Sequence, residues 1–212
     1  MASNGTKISP SDAIGAGEDM TWLKEEALNI VVVGASGDLA KKKTFPSLVN
    51  LFDDNLLPVS TTIWGYARSD ITDDDLCHRI RPYLKESGDH SNEVIKTFLS
   101  LCHYKSGNGY DDIDAFNDLK VLIEANESEN VGLKEYNRLF YFAIPLNVFA
   151  DAAITIKKHA CRNSPKEMQR LYFPWSSVRL LQKTWQSGER RPKIVSVGWT
   201  IFETYTIMNG HT

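Results

Sequence analysis

Ile30-Val31-Val32-Val33-Gly34-Ala35-Ser36-Gly37-Asp38-Leu39-Ala40-Lys41-Lys42-Lys43-Thr44-Phe45-Pro46 is the stretch that decides the fold of this chain. Four β-branched residues in succession predict a strand buried on both faces, as in a parallel sheet. The run stops at Gly34, a second glycine follows at Gly37, and helix-forming residues begin directly after it. Strand, glycine turn and helix is the layout that holds a phosphate. Glycine permits positive φ and close backbone approach, and a helix start aims free N–H groups and partial positive charge at an anion. The common dinucleotide fingerprint has three glycines, G-x-G-x-x-G. Here Ser36 stands where a middle glycine is expected, so the spacing meets that pattern in part. For an isolated Gly34/Gly37 pair, a tight strand-to-helix turn without ligand is the better reading.

Working outward, Leu39 to Phe52 reads as a helix with Leu48, Val49 and Phe52 on its inner face. Pro46 disturbs a continuous helix. Either the helix kinks there, or its regular part starts with Thr44 as cap and Pro46 in the first turn. Thr61 to Ala67 is a second strand, ending at Arg68-Ser69-Asp70. In dinucleotide-binding folds the end of this strand meets the adenosine ribose, where an acidic residue suits NAD and an arginine the 2′-phosphate of NADP. By position alone, a solvated Arg68 paired with Asp70 or Asp73 is an equal alternative.

Thr72-Asp73-Asp74-Asp75 predicts a capped helix start, with acidic residues at the positive end. Leu76, Ile80, Tyr83 and Leu84 form its inner face, and Pro82 predicts a bend or late break. His90 to Cys102 predicts a further helix, and Leu101 to Tyr104 a short strand. Asp111 to Asp114 reads as a helix start rather than a calcium loop, since the EF-hand order is absent. Phe116, Leu119, Leu122 and Ile123 continue that helix, and 124–132, charged and small, are expected to be exposed. Arg138 to Ile144 is the next clear strand, and Asn147 to Lys157 the next helix. Strands alternating with helices predict a Rossmann-like, doubly wound α/β fold with a mostly parallel sheet and flanking helices.

The chain has 212 residues, 42% hydrophobic and 24% charged, with a formal net charge of −3. That composition is ordinary for a globular protein and excludes a strong electrostatic drive towards nucleic acid or acidic membranes. No apolar run approaches the ~18 residues of a membrane span, and the N-terminus lacks a hydrophobic signal core. Cys77, Cys102 and Cys161 form no CxxC pair, so a reduced, cytoplasmic setting is expected. Cys102-His103 lacks a second ligand pair, so no metal site is assigned.

The string Gly34-Ala35-Ser36-Gly37-Asp38-Leu39-Ala40-Lys41-Lys42-Lys43, with Pro46 after it, closely resembles the cofactor turn of the glucose-6-phosphate dehydrogenase family. Gly65-Tyr66-Ala67-Arg68 and Asn137-Arg138-Leu139-Phe140-Tyr141-Phe142-Ala143-Ile144-Pro145 match further blocks in the family's order, so the resemblance covers about 28–160. It implies NADP as cofactor and glucose 6-phosphate as substrate, oxidised to a 6-phosphoglucono-lactone in the pentose phosphate pathway. It also implies that Gly34, Ala35, Ser36, Gly37, Asp38, Leu39, Ala40 and Lys41 cradle the pyrophosphate. Arg68 and Lys43 would meet the other phosphates, and Pro145 and Phe149 would line the nicotinamide side. The family often has Tyr where Phe149 stands and a second proline where Leu146 stands. A homo-oligomer is implied for the complete enzyme.

Beyond Cys161 the pattern changes. The family continues with Glu-Lys-Pro-Phe-Gly, then Arg-Ile-Asp-His-Tyr-Leu-Gly-Lys and a catalytic histidine, and none of these motifs stands here. The expected division is a flexible arm over 1–20, an NADP-binding domain over 21–160, and a divergent tail over 161–212. That tail is read as disordered, or as the product of a frame-shifted or mis-spliced reading, and strands at 194–197 and 200–202 lack specified partners. No catalytic residue is assigned, and this chain alone is expected to be inactive. The alternative function is a non-catalytic NADP-binding or dimerising module. A related endoplasmic hexose-6-phosphate dehydrogenase is disfavoured by the missing signal peptide.

Overall fold

The computed structural model describes residues 25–130, 132–133 and 135–161, and the backbone of 169–172. The expected N-terminal arm and the strands at 194–197 and 200–202 lie outside these residues. The described chain forms strand β1 (Glu26–Val33), helix α1 (Phe45–Asp53), β2 (Ser60–Ala67), α2 (Asp73–Glu86) and α3 (Asn92–Ser100). It continues with β3 (Cys102–Ser106), α4 (Ile113–Glu129), β4 (Glu135–Phe142), α5 (Phe149–His159) and β5 (Gln169–Tyr172).

The β-branched run occupies the middle of a five-stranded sheet ordered β3-β2-β1-β4-β5. All four neighbouring pairs are parallel. Because side chains alternate across a strand, Ile30 and Val32 enter one core with α1, α2 and α3. Val31 and Val33 enter the opposite core with α4 and α5. Both faces of β1 are therefore covered, which explains why the run is apolar without alternation. Full burial of each such side chain contributes about 1.5–3 kcal/mol. The chain builds β1, β2 and β3 outward, then returns across β1 to place β4 on its other side. This reversal opens a crevice at the carboxyl ends of β1 and β4, where Val33 pairs with Phe142.

The helix after the glycine turn is continuous but irregular. Ala40–Thr44 form a π-turn that passes straight into α1. The wider turn accommodates Pro46, whose ring would otherwise press on the carbonyl four residues earlier. Thr44 is not a cap: its backbone is helical and its side chain makes no capping bond. It is buried on β4's side of the helix, beside Tyr141. The capping of α2 follows the sequence reading. Thr72 accepts from the Asp75 amide at 3.1 Å, and the Asp75 carboxylate accepts from the Thr72 amide at 3.0 Å. That bonding holds the Asp75 carboxyl below its ordinary range. Pro82 sits inside α2 without ending it.

Two expectations need correction. The segment 124–132 is not uniformly exposed: α4 runs to Glu129, and Glu127 is 2% exposed. Its carboxylate takes two parallel bonds from Arg138 on β4, at 2.8 and 2.7 Å. Asn29 on β1 also donates to Glu127 at 3.3 Å and accepts from Trp64 at 2.9 Å, while Arg138 donates to the Ala160 carbonyl at 2.9 Å. The second correction concerns the stretch after residue 160. Gln169–Tyr172 pairs in parallel with Arg138–Tyr141 of β4, so the sheet extends into residues assigned to the divergent tail. A four-residue strand is too short for a periodicity signal.

Candidate functional site

The turn after β1 is tied to β2. The Gly34 and Ala35 amides both donate to the Tyr66 carbonyl, at 2.7 and 3.2 Å. The Gly37 amide then donates to the Gly34 carbonyl at 2.9 Å, and the Lys41 amide to the Gly37 carbonyl at 3.1 Å. Helical backbone begins at Asp38, so its first amides have no intrahelical acceptor and point from the helix start. Gly34 has φ +92°, and a Cβ there would lie 2.5 Å from the Ala143 carbonyl oxygen. The turn can thus pass against β4 only as glycine. At Gly37 a Cβ would lie 3.1 Å from the Gly34 carbonyl, a tight but adjustable contact.

A cleft of about 430 Å³ opens at this point. Gly34, Ser36 and Gly37 supply one wall, and Ala143 and Pro145 after β4 supply another. Arg68 and Ser69 come from the end of β2, and Tyr110 from the loop before α4. The Ser36 and Ser69 hydroxyls lie 3.0 Å apart, linking turn and β2 loop, and the Tyr104 hydroxyl donates to the Ser69 carbonyl at 2.7 Å. Arg68 is exposed, with its guanidinium 5.7 Å from the centre of the Tyr110 ring. Among the described residues it makes no ion pair with Asp70 or Asp73. Asp73 instead accepts from the Tyr104 amide at 2.8 Å and contacts His103 at 3.1 Å.

The structure therefore brings Gly34, Ser36, Gly37, Arg68 and Pro145 together on one cleft. Other residues expected at the site stand elsewhere. Ala35 and Ala40 are fully buried in the core beneath the turn. Leu39 is partly exposed on the first helical turn, outside the cleft lining. Lys41 and Lys42 both bind Asp38, at 3.1 and 2.9 Å, and these lysines hold the Asp38 carboxyl below its ordinary range, Lys42 most strongly. Lys43 is exposed on the π-turn. Phe149 is 1% exposed and meets Phe142 edge-on at 5.5 Å, so its ring belongs to the core under the cleft. Sequence reasoning missed Ser69 and Tyr110. Ser69 follows Arg68 directly, but Tyr110 is more than 40 residues away, and no local pattern ties it to this site.

The cleft suits a dinucleotide. Small residues leave the backbone open to a pyrophosphate, a helix start faces it, and a cation stands at the end of β2. We expect Gly37→Val to fold but to weaken dinucleotide binding about tenfold or more, roughly 1.4 kcal/mol. Its branched side chain would fill the wall where the backbone is bare. Calorimetric titration checks this, and unchanged affinity in a folded variant would remove Gly37 from the binding surface.

A parallel sheet with this strand order and a glycine turn at its reversal point defines a Rossmann-like dinucleotide-binding domain. The family model described as "Glucose-6-phosphate dehydrogenase, NAD binding domain" matches residues 31–173. The chain belongs to the glucose-6-phosphate dehydrogenase family, and the match continues through β5. Glucose-6-phosphate 1-dehydrogenase of Dictyostelium discoideum is 46% identical over 129 residues, covering 61% of this chain and 25% of that protein. The cytoplasmic isoform from Solanum tuberosum is 45% identical over 139 residues, covering 65% of this chain and 27% of that protein. The chain thus spans about a quarter of the length of these curated relatives. A solved glucose-6-phosphate dehydrogenase in complex with its substrate glucose-6-phosphate superposes with a TM-score of 0.66 at 36% identity. That superposition covers 76% of this chain and 34% of the solved one.

Proposed function

We propose that this chain binds NADP and forms the coenzyme part of an oxidoreductase that converts glucose 6-phosphate to 6-phosphoglucono-lactone. One observation carries the preference for NADP: Arg68 presents a guanidinium at the end of β2, beside the cleft, with no carboxylate neutralising it among the described residues. A planar fork of donors there suits a 2′-phosphate and has no equivalent use for the bare 2′-hydroxyl of NAD. Gly34, Ser36 and Gly37 would admit the pyrophosphate, and Pro145 would border the nicotinamide end. When bound, the nicotinamide supplies hydride acceptance. This chain's own residues supply binding and orientation.

Arg68→Ala is expected to weaken NADP binding roughly tenfold or more, since a charged hydrogen bond contributes ~1.5–3 kcal/mol, and to leave NAD nearly unaffected. Parallel calorimetric titrations with the two dinucleotides decide this. Equal weakening of both would show that Arg68 does not read the 2′-phosphate. Glucose 6-phosphate as substrate, a homo-oligomeric complete enzyme and a cytoplasmic location are proposed from the relatives.

A second reading is a non-catalytic NADP-binding or dimerising module, and it draws on the described lining of the cleft. Among the described residues no histidine lines the cleft. His103 lies against Trp64 at 4.9 Å, and His90 lies between Asp53 and Asn50 at 2.7 Å from each. Removal of a hydroxyl proton needs a base within hydrogen-bond reach. NADP binding by the 212-residue chain without NADPH production from glucose 6-phosphate would support the module.

A further inference from the structure

Among the described residues lining the cleft, Tyr110 alone comes from none of the glycine turn, the β2 end and the segment after β4, and several bonds hold its loop. The Gly107 amide donates to the Ala67 carbonyl at 3.1 Å, fastening the loop to the end of β2. The Tyr66 hydroxyl donates to the Gly109 carbonyl at 2.6 Å, while its ring stacks on Phe116 at 4.3 Å. The Asn108 amide and side chain both donate to Asp112, at 2.8 and 3.1 Å, and Asp112 caps α4 through the Ala115 amide at 3.1 Å. Gly107 itself is pressed against the Tyr66 hydroxyl, with no room for a Cβ. The Tyr110 ring is thereby set in place before any ligand arrives, and its neighbour across the cleft is the Arg68 guanidinium.

We propose that Tyr110 is a positioning residue for Arg68 and so helps set the preference for a 2′-phosphorylated dinucleotide. This rests on the NADP reading of the cleft. A flexible arginine at the end of a strand must be ordered to bind phosphate, and a partner that orders it beforehand improves affinity. A carboxylate partner would order it but also neutralise it and compete with the phosphate. An aromatic face holds the cation through its quadrupole and leaves the charge and the donors available. Three nearby carboxylates have partners of their own. Asp73 is bound to His103 and the Tyr104 amide, Asp112 to Asn108 and the start of α4, and Asp70 takes the Ser106 hydroxyl at 3.5 Å.

The test is calorimetric titration of the full 212-residue chain with NADP and with NAD, for the wild type, Tyr110→Leu, Tyr110→Phe and Arg68→Ala/Tyr110→Leu. Tyr110→Leu is expected to weaken NADP binding roughly two- to fivefold, the range for an exposed cation–π contact, and to leave NAD unchanged. Tyr110→Phe keeps the ring and should restore the wild-type preference. In the Arg68→Ala background the leucine substitution should have no further effect, because its route runs through Arg68. If the leucine variant does not fold, Tyr110→Gln carries the same expectation. Equal weakening of NADP and NAD, an undiminished preference in the leucine variant, or a persisting effect without Arg68 would each overturn the proposal. A wild-type chain that does not prefer NADP would overturn the NADP reading first, before any Tyr110 variant is compared, and this proposal with it.

Discussion

Glu127→Ala is expected to destabilise the fold by about 3–5 kcal/mol, the cost of leaving a buried charge without its partner. Arg138 is 1% exposed, and Glu127 takes both of its carboxylate-facing bonds. Neighbouring Glu124 lies 3.7 Å from the same guanidinium but is partly solvated, so it replaces little of the lost interaction. The loss spreads further, because Asn29 would also lose an acceptor and with it part of the hold on Trp64. Urea unfolding gives the free energy directly, and the melting temperature should fall by roughly 6–20 °C at 2–4 °C per kcal/mol. A double variant, Glu127→Leu with Arg138→Met, should be less destabilised than Glu127→Ala, because it leaves no unpaired charge in the core. A loss below about 1 kcal/mol for Glu127→Ala would mean that water or Glu124 solvates Arg138, and that the pair does not hold α4 to the sheet.

Gly34→Val should cost about 2–6 kcal/mol, from a backbone conformation that β-branched residues disfavour by ~1–3 kcal/mol and a core overpacked by ~1–3 kcal/mol. The added atoms would meet the Ala143 carbonyl oxygen at 2.5 Å and the Ile144 side chain at 2.7 Å, neither of which is a free surface end. Relief would require β1 and β4 to part at the crevice, so dinucleotide binding should vanish together with stability. Gly37→Ala is the control: its contact with the Gly34 carbonyl is adjustable and its φ is not positive, so the fold should survive it. Equilibrium unfolding of the two variants separates the roles. A Gly34→Val protein as stable as the wild type would show that the turn can be rebuilt without positive φ.

The two glycines are equivalent in the sequence. Their difference comes from the segment after β4: the Ala143 carbonyl oxygen would lie 2.5 Å from a Cβ at Gly34 but 3.9 Å from one at Gly37. The same holds for Phe149. Helical periodicity put it on the inner face of its helix and the family resemblance implied the nicotinamide side; its ring meets Phe142 of β4 in the core. Glu127 reads as one more charge on a polar helix end until β4 brings Arg138 alongside it.

What the sequence by itself determined is therefore what short-range chemistry controls. A run of four β-branched residues can be buried only in a strand covered on both faces, Thr72 with Asp75 can close a helix start, and glycines after a strand allow a tight turn. From these, with the family's blocks, the Rossmann-like architecture was legible, as was the placing of the glycine turn after β1 and of Arg68 at the end of β2. The tertiary structure alone decided which distant residues meet. Asn29 and Glu127 are 98 positions apart, and Ser36 and Ser69 are 33 apart. Tyr110 reaches Arg68 only because β3 lies beside β2 and its following loop is fastened to Ala67. Such pairings depend on strand order and register, which one residue's neighbours in sequence do not encode.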